Sequence, residues 1–133
     1  MSKFTYQRYI NETDLDVFGH VNHANYLKIY EESRWAWLKE KDVDLHTIRS
    51  RGEGLVILNV AIAYKKEITS GETITITAQV DSFEGKIVTI SQKMINEAGL
   101  VCSTLSLTIA LFDLKARKIM PPNDFWKQVF EIN

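Results

Sequence analysis

One long helix is written into this chain, and nearly everything after it is written for strands. From about His23 to Glu40 the residues Tyr26, Ile29, Tyr30, Ser33 and Trp37 recur at helical spacing, with Leu27 and Leu38 beside them and no Gly or Pro between. Asn22 stands where an N-cap belongs, because its side chain can accept from the free amides of a first turn. After residue 55 the period changes to two. Val56 to Tyr64 is apolar and β-branched, broken only by Asn59. Ile74, Ile76, Ala78 and Val80 then alternate with Thr73, Thr75, Thr77 and Gln79. Val88, Ile90 and Met94 do the same, and so do Val101, Leu105, Leu107, Ile109 and Leu111, with Cys102 on the other parity.

Turn signals at Ser70-Gly71, Glu84-Gly85 and Glu97-Ala98-Gly99 separate these strands, so an antiparallel meander is expected. A short strand over residues 3–10, with Phe4, Tyr6 and Ile10 on one face, precedes a polar loop at 11–22. Residues 41–54 read as loop with a helical turn. Pro121-Pro122-Asn123-Asp124 opens a short helix running through Phe130. A meander with one apolar face must cover it, and the only element long enough is the helix. The expected architecture is α+β, a long central helix wrapped by a curved antiparallel sheet, with residues 1–133 as one domain.

Composition narrows the function. The net charge of −1 gives no electrostatic footprint for nucleic acid or an anionic membrane. A single cysteine excludes an intramolecular disulfide framework and a multi-cysteine zinc site. Residues 1–8 lack the apolar core of a secretory signal, and no apolar run approaches the length of a membrane helix, so a cytoplasmic location is expected.

The run Asp14-Leu15-Asp16-Val17-Phe18-Gly19-His20-Val21-Asn22-His23-Ala24-Asn25-Tyr26-Leu27 resembles the signature of hotdog-fold thioesterases of the 4-hydroxybenzoyl-CoA thioesterase-like group. In that group an acidic loop residue, a Gly-bearing turn, an Asn or His pair and a Tyr lead into the central helix. The element order also matches the hotdog fold. The resemblance implies hydrolysis of acyl-CoA thioesters, with fatty acyl groups suggested by the Gly-His-Val-Asn run. It places Asp16 as the catalytic carboxylate and the backbone amide of His23 as oxyanion donor. Gly19 would shape the loop. From their own positions, Asn22 and Tyr26 at the helix start are expected to face substrate, and Asn59, which interrupts an apolar strand, to line the site or to bond across an interface. No metal or cofactor is implied. The active site would lie between subunits of a homodimer, assembled further in some members to a homotetramer. An acyl–acyl carrier protein thioesterase or a non-catalytic acyl-CoA-binding protein would share these features. Two departures stand out: Asn22 where many members carry an aromatic residue, and Glu67 where proline is common.

The chemistry agrees with that reading. Thioester hydrolysis develops negative charge on the carbonyl oxygen, and a helix N-terminus offers unpaired N–H groups and the positive end of a dipole. A nearby carboxylate can attack the carbonyl or activate water. Each residue also has a plainer role. Asp14 and Asp16 sit where acids form Asx turns. His20 and His23 could suggest a metal site, but hydrogen bonding by His20 within the loop is the simpler expectation. Glu31, two turns into the helix, is a second candidate acid, set against a charge pair with Arg34. Lys65, Lys66, Arg117 and Lys118 could meet coenzyme A phosphates or simply be solvated. Asn59, if buried, needs partners. Cys102 is expected to be an inert thiol.

Overall fold

The computed structural model describes residues 3–132; Met1, Ser2 and Asn133, which fall within the expected 1–133 unit, lie outside the described residues. Strand β1 (Phe4–Tyr9) leads through a short 3-10 turn (Glu12–Asp14) to helix α1 (His23–Glu40). Helix α2 (Leu45–Arg51) follows, then β2 (Glu53–Tyr64), β3 (Thr73–Glu84), β4 (Ile87–Ile95), β5 (Val101–Asp113), β6 (Lys118–Met120) and α3 (Asp124–Val129). The long helix occupies the expected residues, and the Asn22 side chain accepts from the Ala24 amide, 2.9 Å away. A cap of this kind contributes about 1 kcal/mol.

Residues 41–54 hold more structure than a loop. Asp44 accepts from the Thr47 amide and starts α2, and Gly52 ends it at φ 68°. That left-handed conformation costs a glycine little. At the other end Asn123 caps α3, and Asp124 stands as an acid in its first turn.

The strands form one antiparallel sheet in the order β1-β3-β4-β5-β2, with β6 beside β5. The expected meander therefore holds for β3, β4 and β5 but not for β2. Ser70-Gly71 is not a hairpin turn. The segment from Lys65 to Glu72 instead carries the chain from edge strand β2 across to β3, which lies between β1 and β4. It is anchored at Ile68, which is fully buried, and its backbone is satisfied by other loops. The Lys65 and Lys66 amides donate to Cys102 O, the Val21 amide donates to Ile68 O, and Gly71 donates to Ile10 O. Those bonds replace the ladder a hairpin would have supplied.

Three bulges adjust the pattern, the first where the register of β3 on β4 skips Asp81. The register of β4 on β5 skips Cys102, which turns inward and is fully buried, although its parity put it on the polar face. The register of β2 on β5 skips Leu58.

Helix α1 lies across the sheet. Phe4 of β1 stacks on Trp37 at 6.2 Å. Tyr30 donates to Ser103 Oγ of β5 at 2.9 Å, and Gln92 of β4 donates to Ser33 Oγ at 2.8 Å. Tyr26, Ile29, Tyr30, Trp37 and Leu38 share one core with Ile74, Ile76, Ile90, Met94 and Leu107. Each such side chain contributes about 1.5–3 kcal/mol by leaving water. Leu27 and Trp35 stay outside that core, on the exposed side of the helix.

Candidate active site

The loop before α1 is held by a polar cluster. Arg8 reaches both carboxylate oxygens of Asp14, with Nη2 to Oδ1 at 3.1 Å, and its Nε contacts Glu32 Oε2 at 3.2 Å. Tyr6 donates to the same Glu32 oxygen, 2.7 Å away. Asp14 also accepts from the Asn11 amide, and its own carbonyl accepts from Asn25 Nδ2 of the helix at 2.9 Å. Burial pushes the Asp14 carboxyl up, but the Arg8 guanidinium and the Asn11 amide outweigh it and hold it below the usual carboxylate value. Asp14 is thus spent on fixing the loop.

Asp16 sits in the turn this cluster supports. Its Oδ1 accepts from the Phe18 amide at 2.8 Å, an Asx turn, while its amide donates to His20 O at 3.0 Å. Its other carboxylate oxygen has no hydrogen-bond partner among the described residues. Gly19 closes the turn with φ 85°, donating to Asp16 O at 3.1 Å. No neighbour lies within 4 Å of where a Cβ would stand at Gly19, so only the backbone conformation calls for glycine. His20 shapes the loop through its main chain, as acceptor from Asp16 and as a bridge to Thr69, and its ring stacks on Phe18.

At the start of α1 the amides are unequally used. Asn22 satisfies two of them, Ala24 N through its side chain and Asn25 N through its carbonyl. The His23 amide, first of the helix, meets no acceptor among the described residues. It is a free donor at the positive end of an 18-residue helix.

A pocket of about 480 Å³ opens here. Asp16, Phe18, His20, His23 and Tyr26 line it from the loop and helix, and Tyr64, Lys65, Lys66 and Glu67 line it from the crossing segment. Tyr64 donates to His23 O at 3.1 Å, and its ring meets the edge of Tyr26 at 4.9 Å. Burial pushes the Tyr26 hydroxyl up to about 12, so it stays protonated at neutral pH. Tyr64 was no candidate from sequence. Its position before Lys65-Lys66 was visible, but nothing local places it against the helix.

Several expectations fare differently. Asn59 is exposed on the edge strand β2 beside the Leu58 bulge, and it does not line this pocket within the chain; the buried asparagine anticipated from the apolar run is absent because β2 has no outer neighbour. Asn22 lies at the pocket's edge in sequence, but its carboxamide oxygen is committed to the helix cap. Glu31 lines a different cavity, farther along α1. The expected Glu31–Arg34 ion pair does not form, since Arg34 donates instead to Gln92 Oε1 at 2.9 Å. Arg117 and Lys118 lie at the β5–β6 turn, away from Asp16, with the Arg117 guanidinium 5.1 Å from the centre of the Phe112 ring. Among the described residues no cluster of His, Cys, Asp and Glu is arranged to hold a metal ion. Cys102 is buried, which raises its thiol pKa and fits an inert role.

Residues 10–130 match the thioesterase-like superfamily. The chain is 33% identical over 107 residues to the long-chain acyl-CoA thioesterase FadM of Escherichia coli K12, covering 80% of each protein. Among solved structures, the probable thioesterase YbaW of Escherichia coli is 29% identical, with a TM-score of 0.84 over 96% of both chains. The Staphylococcus aureus protein SAV2348, solved in complex with CoA, shares the fold with a TM-score of 0.91 at 17% identity. That match covers 98% of this chain and 82% of SAV2348.

Proposed function

The chain belongs to the thioesterase-like superfamily and is a hotdog-fold thioester hydrolase, and from that premise we propose that it cleaves fatty acyl-CoA to the free acid and CoA, using Asp16 and the main-chain amide of His23. The observation that carries the reading is the pocket at the start of α1, where a carboxylate with one open oxygen and a helix with one open amide face the same space.

The thioester carbonyl oxygen lies toward the His23 amide, which takes up the charge that develops as the carbonyl carbon becomes tetrahedral. A preorganised donor of this kind lowers the barrier by about 3–4 kcal/mol. Asp16 either attacks the carbonyl, giving an acyl–enzyme anhydride that water then opens, or takes a proton from the water that attacks. In both routes the C–S bond breaks, a proton passes to the CoA thiolate and the acyl group leaves as a carboxylate. Lys65 and Lys66 at the pocket's rim supply cations suited to the phosphates of CoA.

The similarity to a long-chain acyl-CoA thioesterase supports a fatty acyl group. We read residues 1–133 as one domain that works as a homodimer in the cytoplasm. The open edge of β2 supports the dimer. No described helix is long and apolar enough to cross a membrane.

The test is thiol release from a panel of acyl-CoA esters, short to long and aromatic, comparing wild type with Asp16→Asn. The expected result is turnover of the longer alkyl esters that drops by about 10³-fold or more in the variant while its melting temperature holds. Equal rates in both proteins would remove Asp16 from the chemistry. Absence of turnover on every CoA ester would leave acyl carrier protein esters or simple binding as the reading.

A further inference from the structure

Separate from the Asp16 pocket, a second cavity of about 450 Å³ lies between the later half of α1, helix α2 and the sheet. Its walls are apolar, formed among others by Trp35, Leu38, Leu55, Ile90, Leu107 and Phe130. The size and lining are those of a small-molecule site, which pairs apolar walls with a few placed polar groups. Here the placed group is Arg34.

Three features set Arg34 apart from a solvated helix cation. First, it is held. Its Nη1 donates to Gln92 Oε1 at 2.9 Å, and Gln92 is 1% exposed. Gln92 is fixed in turn by donating to Ser33 Oγ at 2.8 Å, and Ser33 donates to Tyr30 O at 2.6 Å. The amide oxygen is therefore turned toward the guanidinium by a buried chain of hydrogen bonds. Second, it is unmatched. A guanidinium has five N–H donors, the chain of bonds uses one nitrogen, and no carboxylate lies within ion-pair distance among the described residues. Glu31, three residues away, is exposed and does not close on it. Third, it is partly withdrawn from water. Burial draws Arg34 below the ordinary guanidinium value, and only the charge of Glu31 opposes this. A cation kept in such surroundings without an anion is costly unless one arrives. Arg34 and Arg49 against Glu31 leave the lining with an excess of positive charge.

We infer that this cavity binds an alkyl chain ending in a carboxylate, with the chain against the apolar walls and the carboxylate on the open donors of Arg34. Two sources share that chemistry. One is a free fatty acid, the class of product that the proposed hydrolysis releases. The other is the far end of a dicarboxylic acyl thioester. The link to turnover rests on the proposed function; the binding does not.

Trp35 and Trp37 line the cavity and report on it. Tryptophan fluorescence and calorimetry would follow titration of wild type, Arg34→Met and Arg34→Lys with dodecanoate and with dodecanol. Wild type is expected to bind dodecanoate at least about tenfold tighter than dodecanol, since a charged two-point hydrogen bond is at stake. Arg34→Met should bring the two ligands within about twofold by weakening dodecanoate alone. Arg34→Lys should keep part of the preference, and it carries the test if the Met variant fails to fold. Equal binding of acid and alcohol by wild type, an unchanged preference in Arg34→Met with Arg34→Lys like wild type, or no binding of dodecanoate at 1 mM, a concentration of order a weak ligand's Kd, would each overturn the inference.

The same titration in Asp16→Asn separates it from the proposed function, because acid binding should survive there while thiol release does not. Comparing thiol release from dodecanoyl-CoA and dodecanedioyl-CoA then assigns the source. Preference for the dioyl ester that Arg34→Met erases supports the thioester tail. Equal turnover with inhibition by dodecanoate, relieved in Arg34→Met, supports the free acid.

Discussion

Position 23 separates what a side chain does from what a main chain does. The imidazole of His23 is not needed for the proposed chemistry; the amide is. Proline at this position removes the N–H and nothing else the helix uses. It suits the first helical residue, where the amide has no intrahelical partner. The residue before it also tolerates proline, since Asn22 already sits at φ −66° and ψ 142°. His23→Pro should therefore keep its helix content and melting temperature by circular dichroism, while kcat falls by about 10²–10³-fold. His23→Ala should stay within a few-fold of wild type. Equal loss in both variants would move the role to the ring.

Between residue and fold, the loop that carries Asp16 depends on Arg8 and Asp14, two residues that belong to neither catalysis nor the apolar core. Replacing Asp14 by Asn removes charge from a cluster of hydrogen bonds and should cost about 1.5–3 kcal/mol at pH 7. Because the folded-state pKa of Asp14 is lowered, its contribution is full above the unfolded value near 3.9 and fades as pH falls through the folded value. Melting temperatures measured from pH 7 to pH 2 should show a steeper acid loss in wild type than in Asp14→Asn; parallel curves would mean that the ion pair contributes nothing. These elements also show what was legible beforehand. The span of α1, its Asn22 cap and the β3-β4-β5 meander follow from period, capping chemistry and turn residues, all local signals. The path of residues 65–72 does not, because a strand's alternation reveals which face is apolar but not which strand lies beside it. So Tyr64 and Lys65 could not be placed against His23. Arg34 likewise passes over Glu31 because Gln92, distant in sequence, reaches it from β4.

At the scale of the molecule, the sheet ends in two edge strands among the described residues, β1 and β2, and β2 bares the longer apolar run. Strand β2 leaves Ile57 48%, Leu58 44% and Val60 39% exposed along an edge with no outer neighbour. Such an edge invites pairing, and a second copy of the chain is the expected partner. Sedimentation at micromolar concentration should give a dimer, with Val60→Lys shifting it toward monomer and lowering turnover. A wild-type monomer with full activity would overturn that expectation. The strand order has a further consequence, in the time domain of synthesis. Tyr64 pairs with Ser103 and Glu53 with Asp113, so β2 must wait 39 to 60 residues for the strand that covers its inner edge. At about 5–20 residues per second, even the nearer pair is separated by about 2–8 s on the ribosome. During that interval the most apolar strand of the chain has neither edge paired, and chaperone demand during translation should peak between the emergence of Tyr64 and that of Asp113.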